Sequence, residues 1–372
     1  MRKRFTATLF LLLAAASALN AQKPNKFWSS GKLSWNDYTV SSMLAEDGAA
    51  SSNSFGWETK DTEQSFGNLT VHRVTSQVYL NGAQSWVNPD FATDDQLTFN
   101  QLFFDLNELQ CRKMLREMYD PSVSYEAGFL QDYYIGLTAV KMSEITIASD
   151  HGRDMETLAY YQAIVDSQLA TLKRSEFNPK SLRKDKHGFG FRMGAGGEFF
   201  LGSPSEYLRN AFVMDMGVKY FYKKAFIEVQ AGLGGLAAKN DFTVGLNSFN
   251  ARDVLTELQI GGLAGFSFYD GPWFRIAPFA GFGYNGMGLL ADEDDEDSET
   301  KFFGGARLMG GLETDIKFSR NAFLYPDERS ITENGINLRV YVARAGLGGV
   351  LDGYSLNFTV SYFFQSWDLK CW

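Results

Sequence analysis

Asn210–Tyr222 reads NAFVMDMGVKYFY. One set of alternate positions is Phe212, Met214, Met216, Val218, Tyr220 and Tyr222, while the other is Val213, Asp215, Gly217, Lys219 and Phe221. Side chains of a strand alternate between its two faces, so this stretch presents an apolar face and a mixed polar one. Residues 225–235 repeat the pattern, with Ile227, Val229 and Leu233 set against Glu228, Gln230, Gly232 and Gly234. Residues 256–268 repeat it again, with Leu258, Ile260, Ala264 and Phe266 against Glu257, Gln259, Gly261 and Gly265. Strands with lipid on one side and a filled polar interior on the other need this pattern. The reading is an antiparallel barrel in an outer membrane.

Working outward, eight candidate strands cover about 188–201, 210–222, 225–236, 254–268, 273–287, 301–317, 336–346 and 355–366. Tyr222-Lys223-Lys224 and Tyr269-Asp270-Gly271-Pro272 read as tight turns, the second with the Asp-Gly signal of a hairpin. Loops 202–209, 237–253, 288–300 and 347–354 are longer and fall on the opposite side. Short inner turns and long outer loops are usual for such barrels. Residues 318–335 form a long connection on the inner side, against that rule. The inward positions carry Arg192, Lys219, Arg275, Arg307, Lys317 and Arg339 together with Glu198, Asp215, Glu228, Glu257, Glu313 and Asp315. An eight-stranded barrel is just wide enough for side chains to fill it. Equal numbers of the two signs therefore point to a salt-bridged plug rather than a conducting lumen. Arg344 breaks the alternation, as at a bulge or at the lipid headgroup level. The acidic run Asp292–Glu299 lacks EF-hand spacing and reads as a solvated outer loop.

The composition shifts along the chain. Of 36 glycines, 28 lie in residues 187–372, so the two halves pack differently. The division is residues 1–21 as a secretory signal peptide, 22–178 as an α+β domain, 179–186 as linker and 187–372 as an all-β eight-stranded antiparallel transmembrane barrel. The signal reading rests on Arg2, Lys3 and Arg4, the apolar run Leu9–Ala16 and a small residue before the cut at Ala21. Losing those three positive charges takes the formal charge of −9 to about −12. That acidity argues against nucleic acid as a partner. Outer-membrane lipid, and an envelope partner met through the N-terminal domain or the outer loops, are the expected contacts.

In the first half, Asn68–Tyr79 reads as strand, as does Phe27–Val40. Leu97, Phe99, Leu102, Phe103, Leu106, Leu109 and Leu115 fit one face of a helix from Asp95 to Tyr119, with Asp94 or Asp95 as its cap. Residues 153–175 give a second helix, and residues 124–147 are helical or irregular. Cys111 and Cys371 are the only cysteines. They are two unrelated thiols, or a periplasmic disulfide tying the C-terminus to the N-terminal domain. His72, His151 and His187 have no metal-ligand spacing among them; His151 is a lone base or a surface residue.

The second half resembles OmpA-type eight-stranded outer-membrane barrels, through its glycine-rich strands and through Tyr220, Tyr222, Trp273, Tyr284, Tyr362, Phe364 and Trp367 at strand ends. The first half carries Trp35-Asn36-Asp37-Tyr38, then Ser85-Trp86-Val87, then Leu97–Tyr119 (LTFNQLFFDLNELQCRKMLREMY). These elements, in this order, resemble secreted zincin-like metallopeptidase domains, whose helix has the form H-E-Q-x-H-F-D. Aligned on Gln101, Phe104-Asp105-Leu106 and Glu108, the resemblance places the zinc ligands at Phe99 and Phe103 and the catalytic glutamate at Asn100. Phenylalanine cannot ligate zinc, and asparagine cannot act as a general base. The resemblance thus implies a pseudoenzyme without metal or other cofactor. The expected function is an outer-membrane barrel anchoring this inactive periplasmic domain in a structural or binding role. A small channel, or a hydrolase with an unfamiliar site, is the alternative.

Overall fold

The computed structural model describes residues 23–41, 50–120, 126–173, 182–289 and 300–370. The expected signal peptide, the acidic run 292–299 and Cys371 lie outside them. The chain divides into two compact units: residues 1–62, 73–177 and 325–327, and residues 63–72, 178–324 and 328–372. Elements are numbered over strands longer than three residues and helices longer than four.

The first unit is built around one helix. Strands β1 (Phe55–Phe66) and β2 (Leu69–Leu80) pair as a hairpin. Gly67 opens its two-residue turn at φ 66°, the left-handed conformation that a II′ turn needs at that position. In β2 the buried positions are Leu69 and Val71, then Val74, Ser76, Val78 and Leu80. The side-chain phase therefore shifts at His72-Arg73, where the division between the units falls.

Helix α1 (Asp94–Met118) starts at Thr93, whose Oγ1 accepts from the Gln96 N–H at 3.2 Å. Thr93, not an aspartate, is thus the cap. Asp94 and Asp95 occupy the first turn and Arg116 the last, each complementing the helix dipole. α1 is covered on two faces. Phe104, Cys111, Met114 and Met118 pack with Leu33, Tyr38, Val74, Val78, Leu80 and Val87. Phe99, Leu102, Phe103, Leu106 and Leu109 pack with Ile145 of α2 (Ala127–Ala148) and with Leu158 and Val165 of α3 (Met155–Thr171).

The strand expected over Phe27–Val40 does not form as one element. Two-residue strands at its ends flank 3₁₀ turns at Trp28–Ser30 and Trp35–Asp37. The cause is local: the Asp37 carboxylate accepts from the Ser34 N–H (2.7 Å) and hydroxyl (2.9 Å), closing a capping box.

The second unit is a closed barrel of β3 (Arg183–Leu201), β4 (Ala211–Tyr222), β5 (Ala225–Ala237), β6 (Val254–Phe266), β7 (Phe274–Leu289), β8 (Lys301–Leu324), β9 (Arg329–Ala345) and β10 (Gly353–Lys370). Each pairs antiparallel with its neighbour in sequence, and β10 returns to β3. Closure leaves none of these eight strands with an open edge. β3 begins at Arg183, so residues 183–186, expected in the linker, are strand. The larger difference is at 318–335. It is no connection but a continuation of β8 and β9, which run to Leu324 and from Arg329 around a four-residue turn, with a register shift between Lys317 and Ser319. Arg344 lies outward in regular register opposite Tyr354 at the end of β9, so no bulge occurs there.

Alternation in and out is regular along β4 and β5. Phe212, Met214, Met216 and Val218 are about half exposed, as are Ile227, Val229 and Leu233 on the next strand. β4 and β5 have 12 and 13 residues, enough for the ~9–11 that a tilted strand needs to cross a bilayer. No helix among the described residues is long and apolar enough to cross one.

Candidate functional site

The inward positions of the barrel converge on a charge network. Arg192, Arg275, Arg307 and Arg339 are among its largest fully buried side chains. Arg192 donates from Nε to Glu228 at 2.7 Å and from Nη1 to Asp215. Arg339 donates to Glu228 (Nη1, 3.0 Å) and to Glu313 (Nη2, 2.6 Å). Lys219 Nζ sits 2.8 and 2.9 Å from the two oxygens of Glu313. Arg275 joins Glu313 to Asp315, its Nε lying 2.7 Å from the latter. Asp215, Arg192, Glu228, Arg339, Glu313, Arg275 and Asp315 thus form one continuous chain. Arginine suits such nodes because its planar fork reaches two carboxylates at once. The guanidiniums also sit over rings: Arg339 is 5.2 Å from the centroid of Phe279, and Arg275 is 5.1 Å from that of Phe221.

Two further groups flank this chain. On the side of the short turns, Lys317 contacts Asp270 and Glu333, and Glu333 also receives Lys184 (2.8 Å) and Arg320 (3.0 Å). On the side of the long loops, Arg307 meets Glu198 at 3.4 Å, and the Gln259 amide bonds both Glu198 and Glu257. All twelve charged positions expected to face inward do so, eleven fully buried and Asp215 nearly so. Sequence reading missed Glu333, Lys184 and Asp270. Glu333 was legible by carrying the phase of Tyr341, Arg339, Asn337 and Gly335 two residues back.

Apolar and aromatic side chains lie on both sides of this network. At the long-loop end Phe200, Leu208, Val213, Leu236, Phe242, Phe249, Leu255, Met287, Phe303, Leu347 and Leu351 form an apolar cap. Phe242 stacks on Phe249 at 4.9 Å, and Phe249 meets Phe303 edge-on at 5.1 Å. At the short-turn end Phe221 packs on Trp367, and Lys184 lies 3.6 Å over the Trp367 ring. A cavity lined by Asp215, Gln230, Gln259, Tyr341, Asn357 and small residues holds ≈ 10 Å³, room for about one water.

In the first unit, Phe99 and Phe103 lie one helical turn apart with ring centroids 4.4 Å apart, both buried. Asn100 is fully buried in an amide and hydroxyl network: its Oδ1 accepts from Asn53 at 2.9 Å, its Nδ2 donates to Ser51 at 3.1 Å, and Tyr38 donates to Asn53 at 2.8 Å. Burial pushes the Tyr38 hydroxyl well above its ordinary range. Asp105, one residue after Phe104, accepts from Trp28 (2.7 Å), Gln101 (2.8 Å) and Gln162 (3.0 Å), yet burial still raises its carboxyl above the usual value. Cys111 is buried on the same helix. His151 sits between Asp150 and Gly152 in a left-handed turn joining α2 to α3, exposed, and Gly152 abuts the Phe99 ring. Among the described residues no group of three or more His, Cys, Asp or Glu could hold a metal.

No family model and no curated protein matches the chain. Solved structures similar in part are the attachment invasion locus protein Ail of Yersinia pestis (8% identity, TM-score 0.29), the N-terminal β-barrel domain of Pseudomonas aeruginosa OprF (8%, 0.25) and Neisserial surface protein A (10%, 0.28). Each alignment covers 48–49% of this chain and 94–99% of the other. The barrel assignment rests on the closed hydrogen-bond ladder of the molecule itself.

Proposed function

We propose that the protein is an outer-membrane barrel whose work is to anchor and present its N-terminal α+β unit, with the lumen serving stability rather than transport. The observation that carries this reading is the pairing of a lipid-compatible outer face with an interior that is salt-bridged through its middle and capped with aromatic and aliphatic side chains at the long-loop end. An ion crossing would have to break several buried pairs, each break costing several kcal/mol. Placement of the first unit in the periplasm belongs to the same reading, since short turns and both ends of the barrel then share the inner side.

Zincin-like descent of the first unit rests on the sequence resemblance alone, which sets Phe99, Asn100 and Phe103 at the positions of two ligands and a base. On this reading the unit binds or supports rather than cleaves. A Cys111–Cys371 disulfide belongs to the same proposal.

Gel migration, bilayer conductance, and zinc content with a peptidase assay test it. The purified chain should show heat-modifiable migration on a gel, as folded barrels do, and should leave a planar bilayer silent. Steady single-channel conductance would overturn the plug, and stoichiometric zinc with peptidase turnover would overturn the inactive domain.

A further inference from the structure

The two-residue turn between β4 and β5 is Lys223-Lys224, and a third lysine joins it from β3. The Lys223 N–H donates to the Lys186 carbonyl at 2.6 Å, and the Ser267 N–H donates to the Lys224 carbonyl at 2.7 Å. The ends of four strands are thereby stitched together, with Lys186, Lys223 and Lys224 all exposed. One step along the outward face stand two cross-strand pairs, His187 with Tyr222 and Phe189 with Tyr220. His187 Nδ1 and the Tyr220 hydroxyl lie 2.5 Å apart, and Lys223 Nζ is 5.4 Å from the centroid of the Tyr222 ring. Further along, the same face continues as Phe191, Met193, Met216 and Val218, each about half exposed. The order from the rim is therefore cation, amphipathic ring, hydrocarbon.

We propose that Lys186, Lys223 and Lys224, with Tyr220 and Tyr222, form a headgroup site for an anionic phospholipid in the leaflet on the short-turn side. This rests on the outer-membrane reading above, which puts the two tyrosines at the membrane–water interface, where such rings gather. A phospholipid presents its phosphate, its ester level and its acyl chains in the same order as the cations, rings and apolar rows. Each lysine beside an anionic lipid surface is worth about fivefold in affinity. A zwitterionic lipid gains less, because its own ammonium group meets the same lysines. An acidic protein segment would use the cations but leave the apolar rows without a partner.

The cations are local to one turn. Exposed rings continue beside the β6–β7 turn as Phe268, Tyr269, Trp273 and Phe274, but Phe268–Trp273 has Asp270 as its single charged residue. The turn Tyr325–Glu328 carries Asp327 and Glu328. Of the three short turns, the one between β4 and β5 is thus the basic one, in a chain of formal charge −9. Asp185, the carboxylate nearest in sequence, is flanked by Arg183 and Lys186. Lys223 also holds φ 56°, a conformation that glycine adopts without strain. Strain kept at a charged, exposed residue fits a site better than a mere connection.

The test titrates the full chain in non-ionic detergent with phosphatidylglycerol or phosphatidylcholine and counts lipid adducts by native mass spectrometry. Phosphatidylglycerol should bind about tenfold tighter or more, with a preference that shrinks as salt rises. Replacing all three lysines (Lys186→Gln, Lys223→Gln, Lys224→Gln) should bring it down to the level of phosphatidylcholine. Lys239→Gln with Arg252→Gln, two exposed cations at the long-loop end, should leave the preference intact. Equal affinity for the two lipids, a triple variant that keeps the preference, or a long-loop variant that loses it would each overturn the site. Displacement of the lipid by poly-glutamate at equal concentration would overturn it in favour of an acidic protein. Heat-modifiable migration, run on every variant, separates the two readings: its absence from the wild type sinks the barrel, whereas a folded barrel without lipid preference sinks the site alone.

Discussion

Glu228 joins three cations, contacting Arg192, Arg339 and Lys219, and is fully buried. Removing it leaves the two guanidiniums short of a counter-charge in a dry interior. Glu228→Ala should therefore destabilise the barrel by ~3–5 kcal/mol, read as a lower denaturant midpoint for loss of heat-modifiable migration. If the midpoint stays within error of wild type, the network is not what holds the interior. Asp105 makes a different case, because its carboxyl is raised by burial in spite of three donors. In the window between the ordinary and the raised value, the folded chain binds more protons than the unfolded one. Stability from this group is thus full at low pH and falls as pH rises through the window. The difference in unfolding free energy between wild type and Asp105→Asn should shift in that direction with pH and be flat above the window. A difference independent of pH would remove the carboxyl from the account.

Turns and helix faces show why some elements could be read ahead and others not. Lys223 opens the two-residue turn between β4 and β5 at φ 56°, a left-handed conformation that costs a non-glycine residue ~1–2 kcal/mol. Lys223→Gly removes that strain but adds the chain entropy of glycine, ~0.5–1 kcal/mol. A net gain of roughly 0.5–1 kcal/mol in barrel stability follows, measured as a higher unfolding midpoint; a loss would mean the Lys223 contact with the Tyr222 ring outweighs the strain. α1 was legible because its apolar positions repeat at helical spacing. α2 was ambiguous because two opposite apolar stripes cancel the periodic signal. Residues 318–335 read as a loop because, beyond the span that faces lipid, neither strand face has to be apolar. The expected strand at Phe27–Val40 failed for a local reason, the Ser34–Asp37 capping box, which outcompetes extended pairing.

Taken whole, the barrel was the legible half. Its alternation follows from two solvents on the two faces of every strand, a constraint written into each residue of 211–222 and 225–237. Its inward charges were legible for the same reason, and so was the need to pair them. The partners were not. That Arg192 meets Asp215 and Glu228, and that Arg339 spans Glu228 and Glu313, depends on which strands close next to which and on their stagger, since these carboxylates come from three different strands. The apolar cap was equally hidden, because Leu208, Phe242, Phe249, Leu347 and Leu351 sit in the long connections, Phe242 and Phe249 as partners in a hairpin of three-residue strands, where no run is long enough for periodicity to betray burial. In the first unit, Phe99, Asn100 and Phe103 could be named from one helix, but the hydrogen bonds that satisfy Asn100 come from Asn53 and Ser51, nearly fifty residues away. Local pattern determined which face of the barrel strands and of α1 is buried, because burial is imposed residue by residue. Only the tertiary structure decided what each buried group meets, because contact is set by chain closure over long sequence separations.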